Sequence, residues 1–224
     1  MRVLELFAGS RSIGKAAKQL GMTVLSSDIC AYDGIDIVSD IMNLETKSLG
    51  HFDVVWASPP CTAFSVAAMG YHWNADRTPK TKGAKLGQDI VQRTLQIISE
   101  LKPTYWFIEN PRGMLRKQNF MLDLPRTTVW YCRYGDHRAK PTDIWSNHLY
   151  ELGNPLGFVA KECYNGNLAC HHDKCPRGTN NGLGTQGLKN NHERSKIPHK
   201  LCLEILQSCV NDHKQKINVN DDEH

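Results

Sequence analysis

Cys61 follows two prolines at the end of an apolar run, within Phe52-Asp53-Val54-Val55-Trp56-Ala57-Ser58-Pro59-Pro60-Cys61-Thr62-Ala63-Phe64-Ser65. Two prolines cannot continue a strand ladder and hold φ near one value, so the thiol is presented stiffly at a strand tip. Open α/β sheets place their ligands at such tips. A thiol there serves as a nucleophile when its surroundings or its substrate activate it. The competing reading is a small apolar residue packed beneath a loop. A second tip carries a carboxylate, where Tyr105-Trp106-Phe107-Ile108 runs into Glu109-Asn110-Pro111-Arg112-Gly113. The tips of a parallel sheet share one edge, so Cys61 and Glu109 are expected to face one cleft. A third group is Cys163, Cys170, His172 and Cys175, in a stretch rich in glycine and asparagine. Three thiolates with one imidazole, His172 in preference to His171, would close a tetrahedral zinc site. Free loop thiols are the alternative.

The elements that must position these groups read as an α/β alternation. Val3 to Phe7 is a short apolar strand, and Lys15 to Leu20 has helical character, closed by Gly21. The turn between them, Ala8-Gly9-Ser10-Arg11-Ser12-Ile13-Gly14, suits a cofactor cradle with free helix N–H groups. Its spacing is neither the dinucleotide fingerprint nor a P-loop. Thr23 to Ser27 is a second strand with Asp28 at its tip, where an acid commonly bonds ribose hydroxyls. Ile35 to Ser39 is a third, ending at Asp40-Ile41. Acids at successive tips of an open parallel sheet point to an adenosine-type cofactor. Ala68 to Gly87 holds four cationic residues against Asp76 and reads as a mobile basic loop beside Cys61, with charge suited to phosphate contact. Asp89 to Leu101 is an amphipathic helix stopped by Pro103.

Composition sets the outer bounds. A chain of 224 residues with 22% charged and 40% hydrophobic residues buries a full core. The net charge of +4 permits an acidic partner without demanding one. No apolar run reaches membrane-spanning length, and Met1-Arg2-Val3-Leu4-Glu5 runs directly into a strand rather than a signal peptide. The eight cysteines are therefore expected to be reduced cytosolic thiols or metal ligands.

Taken in order across residues 1–113, these motifs resemble the C5-cytosine DNA methyltransferase family, in particular its compact phage-type members. Leu6-Phe7-Ala8-Gly9-Ser10 with Ile13-Gly14 is similar to the family's cofactor motif. Ser58-Pro59-Pro60-Cys61-x-x-Phe64-Ser65 is similar to its nucleophile motif, and Ile108-Glu109-Asn110-Pro111 to its glutamate motif. Tyr134-Gly135 falls where the family has a Tyr-Gly before two arginines. Pro111 stands in place of the family's valine, and Arg138, Lys140 and Thr142 occupy the region of its arginine pair. The resemblance implies a Rossmann-like S-adenosylmethionine-dependent methyltransferase fold, with a small C-terminal target-recognition region. It implies catalytic roles for Cys61, Glu109, Arg138 and Lys140. It implies cofactor contacts at Phe7, Ala8, Gly9, Ser10, Ile13, Asp28, Ile29, Asp40, Ile41 and Pro59. DNA is the implied partner, in the cytoplasm of a bacterial or phage-infected cell. An RNA cytosine-5 methyltransferase and a catalytically weak DNA-binding pseudoenzyme share the same residues and stand as alternatives. The expected division is a catalytic domain over 1–146, recognition over 147–191, a closing helix over 192–212 and a disordered tail over 213–224. Lys174 and Arg177, with the glycines around them, suit phosphate contact within the recognition region.

Overall fold

The computed structural model describes residues 1–149, 162–173 and 191–221. Its centre is a seven-stranded sheet built from β1 (Arg2–Leu6), β2 (Thr23–Asp28), β3 (Ile37–Val38), β4 (Val54–Ala57), β5 (Tyr105–Pro111), β6 (Arg126–Trp130) and β7 (Pro141–Ser146), in the order β3-β2-β1-β4-β5-β7-β6. The helices are α1 (Ser12–Gln19), α2 (Met69–His72), α3 (Lys82–Leu101), α4 (Asn119–Leu122), α5 (Asn191–Ser195) and α6 (His199–Asp221). β1 pairs in parallel with β2 and β4, and β4 with β5, whereas β7 runs antiparallel between β5 and β6. The third strand is shorter than the sequence suggests, two residues instead of five, because only Ile37 and Val38 pair with β2.

Strand alternation assigns the two faces. Val3, Val54, Trp56, Tyr105 and Phe107 turn towards α1 and α6, while Leu4, Leu6, Val55, Ala57 and Ile108 turn towards α3. α6 is part of the core: Leu201, Cys202, Ile205, Leu206 and Cys209 are fully buried. Each of its aliphatic side chains contributes about 1.5–3 kcal/mol by burial. Polar ties fix its angle, Tyr105 Oη donating to Asp212 at 2.6 Å and the Ile197 N–H to Ser12 Oγ at 3.1 Å.

Three boundaries differ from those the sequence suggests. α3 begins at Lys82, seven residues before the amphipathic stripe at Asp89, because Thr81 Oγ1 accepts the Ala84 N–H at 3.1 Å and caps it. The stretch 68–87 is accordingly structured at both ends, by α2 and by the first turns of α3. Trp73 is buried between them and donates from Nε1 to the Ala63 carbonyl at 2.7 Å. The tail expected to be disordered from residue 213 instead continues α6 to Asp221, supported by the Asp212–Lys216 pair one turn apart at 3.0 Å. Asn147, where the recognition region was expected to begin, is tied to β5: its side chain bonds the Trp106 N–H and the Thr104 carbonyl, both at 2.9 Å. Lys174, Cys175 and Arg177 lie outside the described residues.

The loop carrying Cys61 is tied to the loop after β5. The Met114 N–H donates to the Phe64 carbonyl at 2.7 Å, and a Cβ on Gly113 would stand 2.1 Å from that same oxygen. We predict that Gly113→Ala lowers stability by about 1–3 kcal/mol through overpacking against backbone that cannot rotate away. Urea denaturation of the two proteins measures it, and an unchanged midpoint would show that the two loops part freely.

Candidate active site

The parallel pairing of β4 with β5 brings Pro59-Pro60-Cys61 and Glu109-Asn110 to one edge of the sheet. Asn110, fully buried, donates from Nδ2 to the Pro59 carbonyl at 2.9 Å and locks the two tips together. The Cys61 carbonyl accepts the Phe64 and Ser65 N–H groups, each at 3.0 Å, so the chain turns sharply just after the thiol.

Glu109 lies on the α6 face of the sheet and is 5% exposed. Its Oε1 accepts from Tyr131 Oη at 2.8 Å and stands 3.9 Å from Lys140 Nζ. The Lys140 ammonium also lies 4.5 Å above the centre of the Tyr131 ring and donates to the Arg194 carbonyl at 3.2 Å. Lys140 adopts φ +27°, a conformation costly for a side chain with a Cβ. Strain of that kind collects at functional sites, where the surroundings enforce it. Burial pushes the Cys61 thiol above its ordinary value, the nearby Lys140 cation pulls it down, and Glu109 raises it. Burial likewise lowers Lys140, while Glu109 opposes that shift. The thiol, the carboxylate and the ammonium therefore sense one another in one desolvated cleft.

Arg138, which the resemblance placed beside Lys140 as catalytic, has its guanidinium 5.9 Å from the centre of the Tyr131 ring. It is held by Asp136, with Nε to Oδ1 at 2.8 Å, and its other nitrogens donate to the Arg194 and Lys196 carbonyls at 2.9 and 3.2 Å. These bonds fasten the approach to α6.

Sequence reasoning did not single out Tyr131 or Glu5. Tyr131 reads as one more aromatic after a strand. Glu5 is an acid inside an apolar strand, which was the available signal. It accepts the Ile13 and Gly14 N–H groups, each at 3.0 Å, and the Ser26 hydroxyl at 3.3 Å. Burial raises its pKa to about 7. The helix N-terminus expected to offer free N–H groups is thus filled by the protein's own carboxylate. The Ile13 side chain is fully buried in the core and its N–H is donated to Glu5.

The remaining cradle residues gather at the tips of β1 and β2. Phe7 and Gly9 turn the backbone through φ +57° and +35°, and Asp28 Oδ2 accepts the Gly9 N–H at 2.9 Å. Ile29, 64% exposed, offers an apolar face beside that carboxylate. Asp40 caps the turn Ile41–Asn43 by accepting the Met42 N–H at 3.0 Å. Ile41 and Pro59 are buried at the cradle floor.

Residues 1–123 match the family model described as C-5 cytosine-specific DNA methylase. The chain belongs to this family. Its reaction is methyl transfer from S-adenosylmethionine to C5 of cytosine in DNA. The chain is 29% identical over 229 residues to the probable DNA (cytosine-5)-methyltransferase of Frog virus 3 (isolate Goorha), covering 93% of this chain and all of that protein. It is also 29% identical over 130 residues to the type II methyltransferase M.Bsp6I of Bacillus sp. (strain RFL6), covering 53% of this chain and 38% of that one. Among solved structures, the Entamoeba histolytica methyltransferase EhMeth superposes with a TM-score of 0.52 at 13% identity, covering 72% of this chain and 57% of that one, which is a likeness of fold. The family description and the viral relative's name both specify DNA, which disfavours the RNA reading. No helix among the described residues is long and apolar enough to cross a membrane.

The cradle fits S-adenosylmethionine. A half-buried carboxylate suits ribose hydroxyls, an exposed aliphatic beside it suits a purine face, and open backbone at Gly9 admits the amino-acid end. The opposing influences on Cys61 generate a prediction. Lys140→Met should move the midpoint of Cys61 alkylation to higher pH, and Glu109→Gln should move it lower. Peptide mass mapping of iodoacetamide labelling across a pH series reads both, and a downward shift in Lys140→Met would remove that cation from the thiol's surroundings.

Proposed function

We propose that Cys61, Glu109 and Lys140 are the groups with which this chain methylates cytosine in DNA. The observation that carries the assignment is the Lys140–Glu109 approach of 3.9 Å, at the strand edge that also presents Cys61. C5 of cytosine is a poor nucleophile. A Cys61 thiolate adding at C6 forms a C–S bond and leaves C5 enamine-like. Glu109 bonds N3 and the exocyclic amine, meeting the charge that develops on the ring. Tyr131 and Lys140 occupy Oε1, which turns Oε2 towards the base. Lys140 supplies the cation for the base carbonyl, the position left open by the missing arginine pair. Bound S-adenosylmethionine supplies an electrophilic methyl group to C5, held through Asp28, Asp40 and the Phe7–Ser10 turn. Loss of the C5 proton then re-forms the double bond and expels Cys61 as thiolate.

None of this proceeds inside a duplex, so the cytosine must leave the stack. The segment after Cys61 carries exposed Val66, Tyr71, Arg77 and Lys80, a mixture of apolar and cationic groups suited to a displaced base and its phosphates. Target recognition is assigned to 147–191, shaped by a zinc ion on thiols and an imidazole of that segment.

Cys61→Ser should form no denaturation-resistant adduct with 5-fluorocytosine DNA while still binding S-adenosylmethionine. An adduct of equal yield would place the nucleophile elsewhere. Glu109→Gln keeps the shape and loses the charge, and should lower the single-turnover rate by about 10²-fold. A rate within about threefold of the parent protein would remove Glu109 from the chemistry.

A further inference from the structure

We propose that Cys132 completes a tetrahedral zinc site with Cys163, Cys170 and His172, and that the metal clamps the segment 162–173 to the turn that carries Tyr131. This deepens the zinc reading above, on which it rests, by naming a ligand from the catalytic domain. One ligand atom from each of the four residues lies within 4.8 Å of the others. Zinc–sulfur bonds near 2.3 Å place tetrahedral ligands about 3.8 Å apart. The Cys163 Sγ to His172 Nδ1 separation is 3.8 Å. Cys132 and His172 are each 1% exposed, and Cys163 and Cys170 are buried with them. The three cysteines of the group are free of disulfides. A disulfide would use two sulfurs and leave a thiol and an imidazole buried beside it. Three soft thiolates with one imidazole select zinc over the hard divalent cations, and four protein donors leave no open position, which makes the site structural.

The surroundings fit that role. Asn167 Nδ2 donates to Cys163 Sγ at 3.6 Å, and the Cys170 N–H donates to the Asn167 carbonyl at 3.1 Å, so the chain folds back between the two thiols. Among the described residues the hydrophobic cluster here is Trp130, Cys132, Ala139, Cys163 and Cys170. Such a cluster cannot hold a segment in place alone, whereas metal binding supplies folding free energy directly. Three contacts then seat the segment on the catalytic turn. Arg133 Nε donates to the Glu162 carbonyl at 2.8 Å, the Asp173 N–H to the His137 carbonyl at 2.7 Å, and His171 Nε2 lies 3.0 Å from the Asp136 carbonyl. Cys132 directly follows Tyr131, whose hydroxyl holds Glu109. Removing the metal loosens the recognition segment and the Tyr131 turn together. It leaves the β1–β2 cradle untouched.

Metal analysis of the full chain, purified without chelator, tests the ligand set. About one zinc per chain is expected in the parent protein and in Cys175→Ser, with less than about a tenth of that in Cys132→Ser and His172→Gln. Reconstitution with cobalt(II) should give the intense visible bands of a tetrahedral thiolate site. Zinc retained by Cys132→Ser and lost from Cys175→Ser would overturn the assignment, as would a metal-free parent protein. If Cys132→Ser fails to fold, chelator titration of the parent protein decides. Zinc release should lower the unfolding temperature and the 5-fluorocytosine adduct yield while S-adenosylmethionine affinity stays unchanged. Release without either effect would overturn the clamp. Cys61→Ser protein keeps its zinc on this view, so a missing metal defeats this inference alone. A metal-loaded parent protein that forms no adduct defeats the catalytic reading alone.

Discussion

A carboxylate and an ammonium buried at the same strand edge constrain everything around them. Glu109 is 5% exposed, and the Lys140 side chain is 11% exposed. Taking either charge out of water alone costs several kcal/mol, recovered only when a partner and well-formed hydrogen bonds accompany it. Lys140 must therefore reach Glu109, and it does so from a backbone conformation with φ +27°. Tyr131 supplies the hydrogen bond that completes the pairing. Arg138, two residues away, is paired with its own counter-ion, Asp136. The adjacent thiol is pulled down by Lys140, and more weakly by Arg194, against a larger burial penalty.

The antiparallel strand β7 is what makes that arrangement geometrically available. β6 runs in the direction of β5 and so ends at the edge that carries Glu109. The reversal into β7, which starts opposite Pro111, keeps the turn 131–140 at that edge. Asp143 holds β7 in register, bonded to Arg116 Nε at 2.8 Å and Thr128 Oγ1 at 2.8 Å within a buried setting. From the same turn, bonds run to Arg194 and Lys196, which lead into α6, and to the segment 162–173. Glu109, α6 and the segment 162–173 are thus coupled through one short stretch of backbone. The cofactor cradle, on the other side of β4, is built separately from β1, β2 and the Glu5 carboxylate.

The sequence by itself determined the parallel half of the molecule and the placing of Cys61 and Glu109 at one edge of the sheet. Cys61, Glu109, Asp28 and Asp40 were legible because each ends a short apolar run, and the tips of parallel strands converge by topology alone. Helix extents were read less well. Gly83 and Gly87 resemble loop residues, yet Gly87 lies against the Phe64 ring inside α3. Lys214 and Lys216 resemble a tail, yet they extend a helix whose buried stripe lies further back. Tertiary structure alone set Lys140 beside Glu109 and Arg138 against Asp136, brought in Tyr131 and Glu5, and joined Cys132 to Cys163, Cys170 and His172. Those choices depend on a chain reversal and on which buried charge finds which partner. Neither leaves a period or a spacing in the sequence, because the distances involved are set across the sheet and not along the chain.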